Sequence, residues 1–155
     1  QQKPVLLVVN KWDLYAGDVE RSEWAQYLRD TFRTMPWAPI AFVTATKGRN
    51  VKAAIDTTQR LFRQSQSRVP TAALNTIIHS ATQATRPPAD RKGRPVRIYF
   101  ATQVDTAPPT IVLSTSSAKS LTAPYKRYLI SSLRKNSPFT EVPIKLLVRD
   151  HKSRE

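Results

Sequence analysis

The chain has 155 residues, 40% of them hydrophobic, enough for one ordinary domain or two small ones. Its 25 Lys and Arg against 11 Asp and Glu give a formal charge of +14, which favours a polyanionic partner: nucleic acid or an anionic membrane surface. Charged residues break every apolar run well before the ~20 residues of a bilayer-crossing helix, and no signal peptide is visible. The absence of cysteine excludes disulfides, thiolate metal sites and cysteine nucleophiles, and fits a reducing, cytoplasmic setting.

The opening Gln1-Gln2-Lys3-Pro4 passes directly into Val5-Leu6-Leu7-Val8-Val9, an apolar run of the kind buried on both faces of a parallel sheet. A start with neither Met nor a cap implies that residues precede it in a longer protein. Asp18 or Ser22 is predicted to cap a helix in which Trp24, Leu28, Phe32 and Met35 recur at helical spacing until Pro36. Residues 40–43 read as a second buried strand, and Val51, Ala54, Ile55, Leu61 and Phe62 as one face of a second helix. Strand, helix, strand, helix is the order of an α/β parallel sheet.

The polar stretch 64–70, ending in Pro70, marks a boundary between residues 1–66 and 67–155. Charge shifts there too: residues 1–64 carry a net +4 and residues 65–155 a net +10. In the second part Thr71 is predicted to cap a helix through Leu74, Ile77, Ile78 and Ala81. A loop with Arg91, Lys92 and Arg94 follows, then strands at 96–101 and 110–114 joined by too long a connection for a two-residue hairpin. Leu121, Tyr125, Tyr128, Leu129 and Leu133 mark another helix, and residues 143–148 a last strand. This is an α+β arrangement of helix, strand, strand, helix, strand.

The motif that carries chemistry is Asn10-Lys11-Trp12-Asp13, placed directly after a buried strand, where α/β sheets bind ligands. A carboxylate at Asp13 can accept hydrogen bonds from both the ring N–H and the exocyclic amino group of guanine, a donor pair adenine lacks. Lys11 can lay its stem along the base plane, and Asn10 can bridge the base edge to a phosphate-binding loop. Thr44-Ala45-Thr46-Lys47-Gly48 ends the next strand at the same sheet edge, where a backbone N–H near Ala45 can donate to the guanine carbonyl. As a polar turn the motif would simply end a strand. No G-x-x-x-x-G-K-[S/T] loop occurs, since glycine stands only at 17, 48 and 93. Asp90-Arg91-Lys92-Gly93 matches Asp-x-x-Gly by letters alone, in a basic loop with no buried strand before it.

Val8-Val9-Asn10-Lys11-Trp12-Asp13-Leu14 and Phe42-Val43-Thr44-Ala45-Thr46-Lys47-Gly48 resemble the guanine motif and the Ser-Ala loop of the second GTPase domain in the bacterial tandem-GTPase Der (EngA) family. Here Thr44 stands for the serine. Thr71-Ala72-Ala73-Leu74-Asn75, Pro108-Pro109-Thr110-Ile111-Val112, Tyr125-Lys126-Arg127-Tyr128-Leu129 and Val142-Pro143-Ile144-Lys145 resemble that family's C-terminal KH-like domain. The stretch from Arg149 onward matches poorly.

The resemblance implies the end of a P-loop GTPase domain followed by a KH-like domain, in a GTPase of large-subunit ribosome assembly. It also implies GTP or GDP bound at Asn10, Lys11, Trp12, Asp13, Thr44, Ala45 and Thr46, with Mg²⁺ only in the intact protein. The implied partners are ribosomal RNA or the large subunit, and the protein's own upstream G domains. Alone, the chain is expected neither to hydrolyse GTP nor to bind it tightly, because the phosphate loop, its lysine and the magnesium ligand are missing.

On a helical wheel Lys119, Lys126, Arg127, Arg134 and Lys135 fall opposite the apolar arc. With Arg91, Lys92, Arg94 and Arg97 they form either a phosphate-tracking stripe or a solvated surface. The G-x-x-G loop by which KH domains clamp nucleotides is absent. Tyr125 and Tyr128 share the apolar arc and read as core, Trp24 and Trp37 as core or edge packing. His79 and His151 have no metal-ligand spacing. Two other readings remain open: a circularly permuted GTPase, which needs a downstream P-loop that does not occur here, and a stand-alone RNA-binding or adaptor module with a vestigial nucleotide site.

Overall fold

The computed structural model describes residues 2–15, 17 and 20–151. Among them the apolar runs form strands β1 (Leu7–Val9) and β2 (Ile40–Phe42), paired in parallel with Leu7 opposite Ile40 and Val9 opposite Phe42. Val8 is 52% exposed, so β1 is not covered on both faces as its composition suggested.

Helix α1 (Arg21–Thr31) connects them. Ser22 lies inside its first turn, Glu20 precedes it without a side-chain cap, and Asp18 falls outside the described residues. The helix stops before Phe32 and Met35, shorter than their spacing predicted. The backbone at Phe32 leaves the helical region, and successive turns (Met35 N–H to Phe32 O, 2.9 Å; Ala38 N–H to Met35 O, 3.0 Å) bring the chain back to β2. Pro36 already disfavours helix at Met35.

Helix α2 (Val51–Gln66) buries Leu61 and Ser65, while Ile55 and Phe62, expected on the same face, are 54% and 63% exposed. Residues 55 and 62 stand two turns apart on a neighbouring stripe, and the buried line runs through Leu61 and Ser65 instead. Helix α3 (Thr71–Ala84) begins with Thr71 as its first helical residue, so Thr71 does not cap it.

The second sheet contains β3 (Ile98–Asp105), β4 (Thr110–Thr115) and β5 (Lys145–Asp150) in the order β3-β4-β5. β3 and β4 pair antiparallel, whereas β5 joins β4 in parallel after helix α4 (Ala123–Asn136), as a parallel neighbour requires a crossover. β3 and β5 each start two residues later than the sequence indicated. Val96, 2% exposed, is drawn away by its bond to Pro88 O (2.9 Å), and Pro143 has no N–H for a ladder, so pairing begins with Lys145 N–H to Pro109 O (2.9 Å).

Helices α3 and α4 cover one face of this sheet through Leu74, Ile78, Leu129 and Leu133, which meet Ile111 and Leu113 of β4. Leu61 of α2 joins the same cluster, so the core crosses the boundary at residue 66. Polar contacts cross it as well: Gln64 accepts from Glu141 N–H (3.1 Å), Arg60 pairs with Glu141 (2.9 Å), and Ala107 N–H donates to Ser65 O (3.0 Å).

Arg134 turns inward from α4. Its Nη1 lies 3.0, 3.1 and 2.8 Å from the carbonyl oxygens of Phe139, Thr140 and Val142, and its guanidinium sits 5.7 Å from the Trp37 ring centroid. Burial lowers its pKa from the ordinary arginine value. The expected outward arc therefore loses this residue. Arg134→Ala would leave three carbonyls without their donor and is expected to destabilise the chain by about 1–3 kcal/mol, measured by urea denaturation; a change within error would show that the carbonyls re-pair without it.

Candidate guanine-recognition site

Because β1 and β2 run in parallel and in register, their C-terminal ends release two loops side by side. After β1, Lys11 adopts a left-handed conformation (φ 58°), and Trp12–Leu14 form a single 3₁₀ turn. Trp12 N–H donates to Val43 O (3.0 Å), joining the two loops. The Trp12 ring is only 6% exposed and meets Phe42 edge-on at 4.6 Å, so this member of the motif is an anchor turned away from the surface rather than a base contact.

After β2, Thr44 and Arg49 exchange both backbone hydrogen bonds (3.1 Å each) and close a loop around the 3₁₀ turn Ala45–Lys47. Gly48 takes the positive φ (66°) that the closure requires, and Asn50 holds the loop's far end through Nδ2 to Phe42 O (3.0 Å).

Three side chains then tie the loops into one site. Asn10 Oδ1 accepts from Lys11 N–H (2.8 Å) and Ala45 N–H (3.1 Å). The buried Thr44 hydroxyl accepts from Asp13 N–H (3.3 Å). Lys47 Nζ lies 2.7 Å from Asp13 Oδ2. Asn10, Asp13, Thr44 and Ala45 are thus brought together, with Lys11 and Thr46 exposed beside them. The Ala45 amide already meets Asn10, so donating to a guanine carbonyl requires that this bond be shared.

The sequence reading did not assign Lys47 or Asn50 a role. An acid and a base in facing loops is the available signal for the first, and an asparagine two residues after a loop glycine, just ahead of a helix, for the second. The hydrogen bond from Lys47 is the main cause that holds the Asp13 carboxyl below its ordinary 3.8, with burial opposing it. The carboxylate is therefore ionised at neutral pH and has one oxygen engaged by a cation.

The basic residues divide. Arg91, Lys92, Arg97, Lys119, Arg127 and Lys135 are exposed and Lys126 is half-buried. Lys119 belongs to a 3₁₀ turn (Ala118–Ser120) ahead of α4, not to the α4 wheel. Arg94 is held by Asp90 through Nε and Nη2 (3.1 and 3.0 Å), in a turn where Asp90 also accepts the Lys92 and Arg94 amides. That turn, with Gly93 at φ 74°, is the whole content of the Asp-x-x-Gly lettering. Tyr125 and Tyr128 donate to Thr85 O (2.7 Å) and Ala81 O (2.9 Å), and burial pushes the Tyr125 hydroxyl up to about 12. Both serve the core. Trp24 packs between Tyr15 and Tyr27, with ring centroids 5.9 and 5.8 Å away. Among the described residues no cluster of His, Asp or Glu is arranged for a metal, and no helix is long and apolar enough to cross a membrane.

Residues 68–149 match the family model described as KH-domain-like of EngA bacterial GTPase enzymes, C-terminal. The chain belongs to the EngA family. Among EngA relatives, the GTPase Der of Rhodopirellula baltica is 48% identical over 153 residues, covering 99% of this chain and 34% of that protein. The GTPase Der of Thermomicrobium roseum is 35% identical (96% of this chain, 33% of that protein), and that of Acaryochloris marina 36% (97% and 33%). The chain thus spans about a third of the length of the EngA relatives it matches.

The paired loops make a direct prediction. With its folded-state pKa below 3.8, the Asp13 carboxylate contributes stability that is present above that value and lost as pH falls through the lower folded pKa. Lys47→Met is expected to move the Asp13 titration upward, toward 3.8, in a carbon-detected NMR pH titration. An unmoved titration would mean that Lys47 is not what stabilises the anion.

Proposed function

We propose that residues 1–66 are the C-terminal half of a P-loop GTPase domain that reads guanine, and that residues 67–155 are a KH-like domain that contacts RNA. The intact protein is then a GTP-binding GTPase acting in assembly of the large ribosomal subunit. Its phosphate loop, switch elements and Mg²⁺ ligands come from sequence outside these residues. The observation that carries the reading is the tie between the two loops: Asn10 Oδ1 on the Ala45 amide and Asp13 N–H on Thr44 Oγ1. This fixes a carboxylate acceptor at the edge of a parallel sheet beside a run of backbone amides, complementary to the donor pair and carbonyl of guanine.

Asp13 then discriminates, because adenine would leave a desolvated carboxylate without a donor. Lys47 competes for one of its oxygens and must share or release it when the base arrives. In the intact protein, Asp13→Asn is expected to shift preference from GTP toward xanthosine triphosphate, since an amide offers a donor where xanthine carries a carbonyl. Competition binding in which this variant keeps its guanine preference would remove Asp13 from base reading.

For the KH-like part, Lys126, Arg127 and Lys135 of α4 are the candidates for phosphate contact, and Arg134 is excluded from the set by its carbonyl partners. Replacing the three with glutamine should lower the slope of log affinity against log salt for a structured ribosomal RNA by about 0.7–0.9 per contact while the fold persists. An unchanged affinity and slope would make this face a solvated surface only.

A further inference from the structure

The sheet face opposite α3 and α4 carries a feature that neither the core nor the basic arc uses. In β4 and β5, Ile111, Leu113, Leu146 and Val148 point toward the helices, so strict alternation puts Val112, Ser114, Lys145, Leu147 and Arg149 on the other side. The ladder places Phe100 opposite Ser114 on that side, where Val112 and Ser114 themselves are buried. At one end of it three rings gather. His151 lies 4.6 Å from Tyr99, tilted by 38°, and 6.1 Å from Phe100, edge-on at 85°. Tyr99 and Phe100 are 49% and 43% exposed.

The cluster is held in place. His151 Nδ1 lies 3.0 Å from the buried Ser114 hydroxyl, and its backbone N–H donates to Thr115 O (2.7 Å). The backbone of Arg97, exposed, is fixed at the same end, its N–H donating to Ser116 Oγ (3.0 Å) and its carbonyl accepting from Ser116 N–H (2.9 Å), and Arg149, also exposed, precedes His151 by two residues. Neither arginine pairs with a carboxylate among the described residues. The nearby acid, Asp150, accepts the Ala118 amide (2.6 Å), and Asp105 stands at the far end of β3.

We propose that this face binds single-stranded RNA, with unpaired bases stacking on Tyr99 and Phe100 and the flanking phosphates meeting Arg97 and Arg149. Exposed rings on a sheet, flanked by unpaired arginines, suit a ligand that alternates flat apolar faces with negative charge. Duplex RNA keeps its bases stacked and cannot offer them to a platform. The proposal deepens the RNA-contacting reading of this domain, naming a second surface and the strand state it selects. It supplies what the missing G-x-x-G clamp does not.

The test uses the intact protein and two probes, a short labelled oligouridylate and a ribosomal RNA hairpin. Tyr99→Leu with Phe100→Leu is expected to weaken oligouridylate binding about tenfold or more, with the salt slope unchanged. Arg97→Gln with Arg149→Gln should lower that slope by about 0.7 for each contact. The Lys126, Arg127 and Lys135 glutamine variant should keep oligouridylate affinity while losing hairpin affinity, so the two surfaces fail separately. Photocrosslinking of 4-thiouridine RNA to the unaltered protein, expected at Tyr99 or Phe100, does not depend on how any variant folds. Oligouridylate affinity unchanged in the ring variant, or crosslinks confined to other surfaces, would overturn the proposal.

Discussion

One continuous helix sets the relation between the two halves of the chain. Helix α2 starts directly after Asn50, which holds the far end of the 44–49 loop, and its last turns carry Leu61 and Ser65 into contact with the second sheet's core and loops. At 1.5 Å per residue its 16 residues span about 24 Å. The two halves are therefore joined by a rod with both ends tied down. Arg60 and Gln64 meet Glu141 and fix the rotation of the rod about its own axis, so the loop and the KH-like core share one frame.

Net charge describes this surface poorly. Arg60 is paired with Glu141 and Arg94 with Asp90, and Arg134 is surrounded by carbonyls. These cations serve local structure, and an exposed pair of this kind contributes little free energy to anything else. In the second half, exposed cations outside these pairs stand on α4, in the turn at Arg91 and Lys92, and at the strand ends near Arg97 and Arg149, among other places.

Local pattern carried most of the elements into view. The runs before Asn10 and Thr44 are strands because β-branched and apolar residues stand between turn formers. The wheel positions of Leu74, Ile78, Leu129 and Leu133 mark helices because a core face repeats every three or four residues. The Asn10–Asp13 motif stands out for the same reason, as residue types at a fixed distance from a strand end. What stayed hidden depends on neighbours remote in sequence. Arg134 looks like its solvent-facing neighbours until the 139–142 loop folds over it, and Lys47 reveals its carboxylate only when β1 and β2 are set side by side. The exposure of Ile55 and Phe62 likewise follows from which side of α2 meets the second core, which periodicity alone leaves undetermined. Strand ends shifted where a single chemical fact, the missing N–H of Pro143, outweighed composition.

The irregular pairing of β3 also bears on how the molecule behaves in crowded solution. Among the described strands β3 and β5 are the sheet's two margins, and β3 carries register shifts between Ile98 and Phe100 and between Gln103 and Asp105. A strand with interrupted spacing cannot offer an unbroken row of amides and carbonyls to a strand of another molecule, and the charged Lys145 and Arg149 guard the opposite margin. The sheet can therefore keep the Tyr99 and Phe100 rings in water without inviting sheets to grow edge to edge into aggregates.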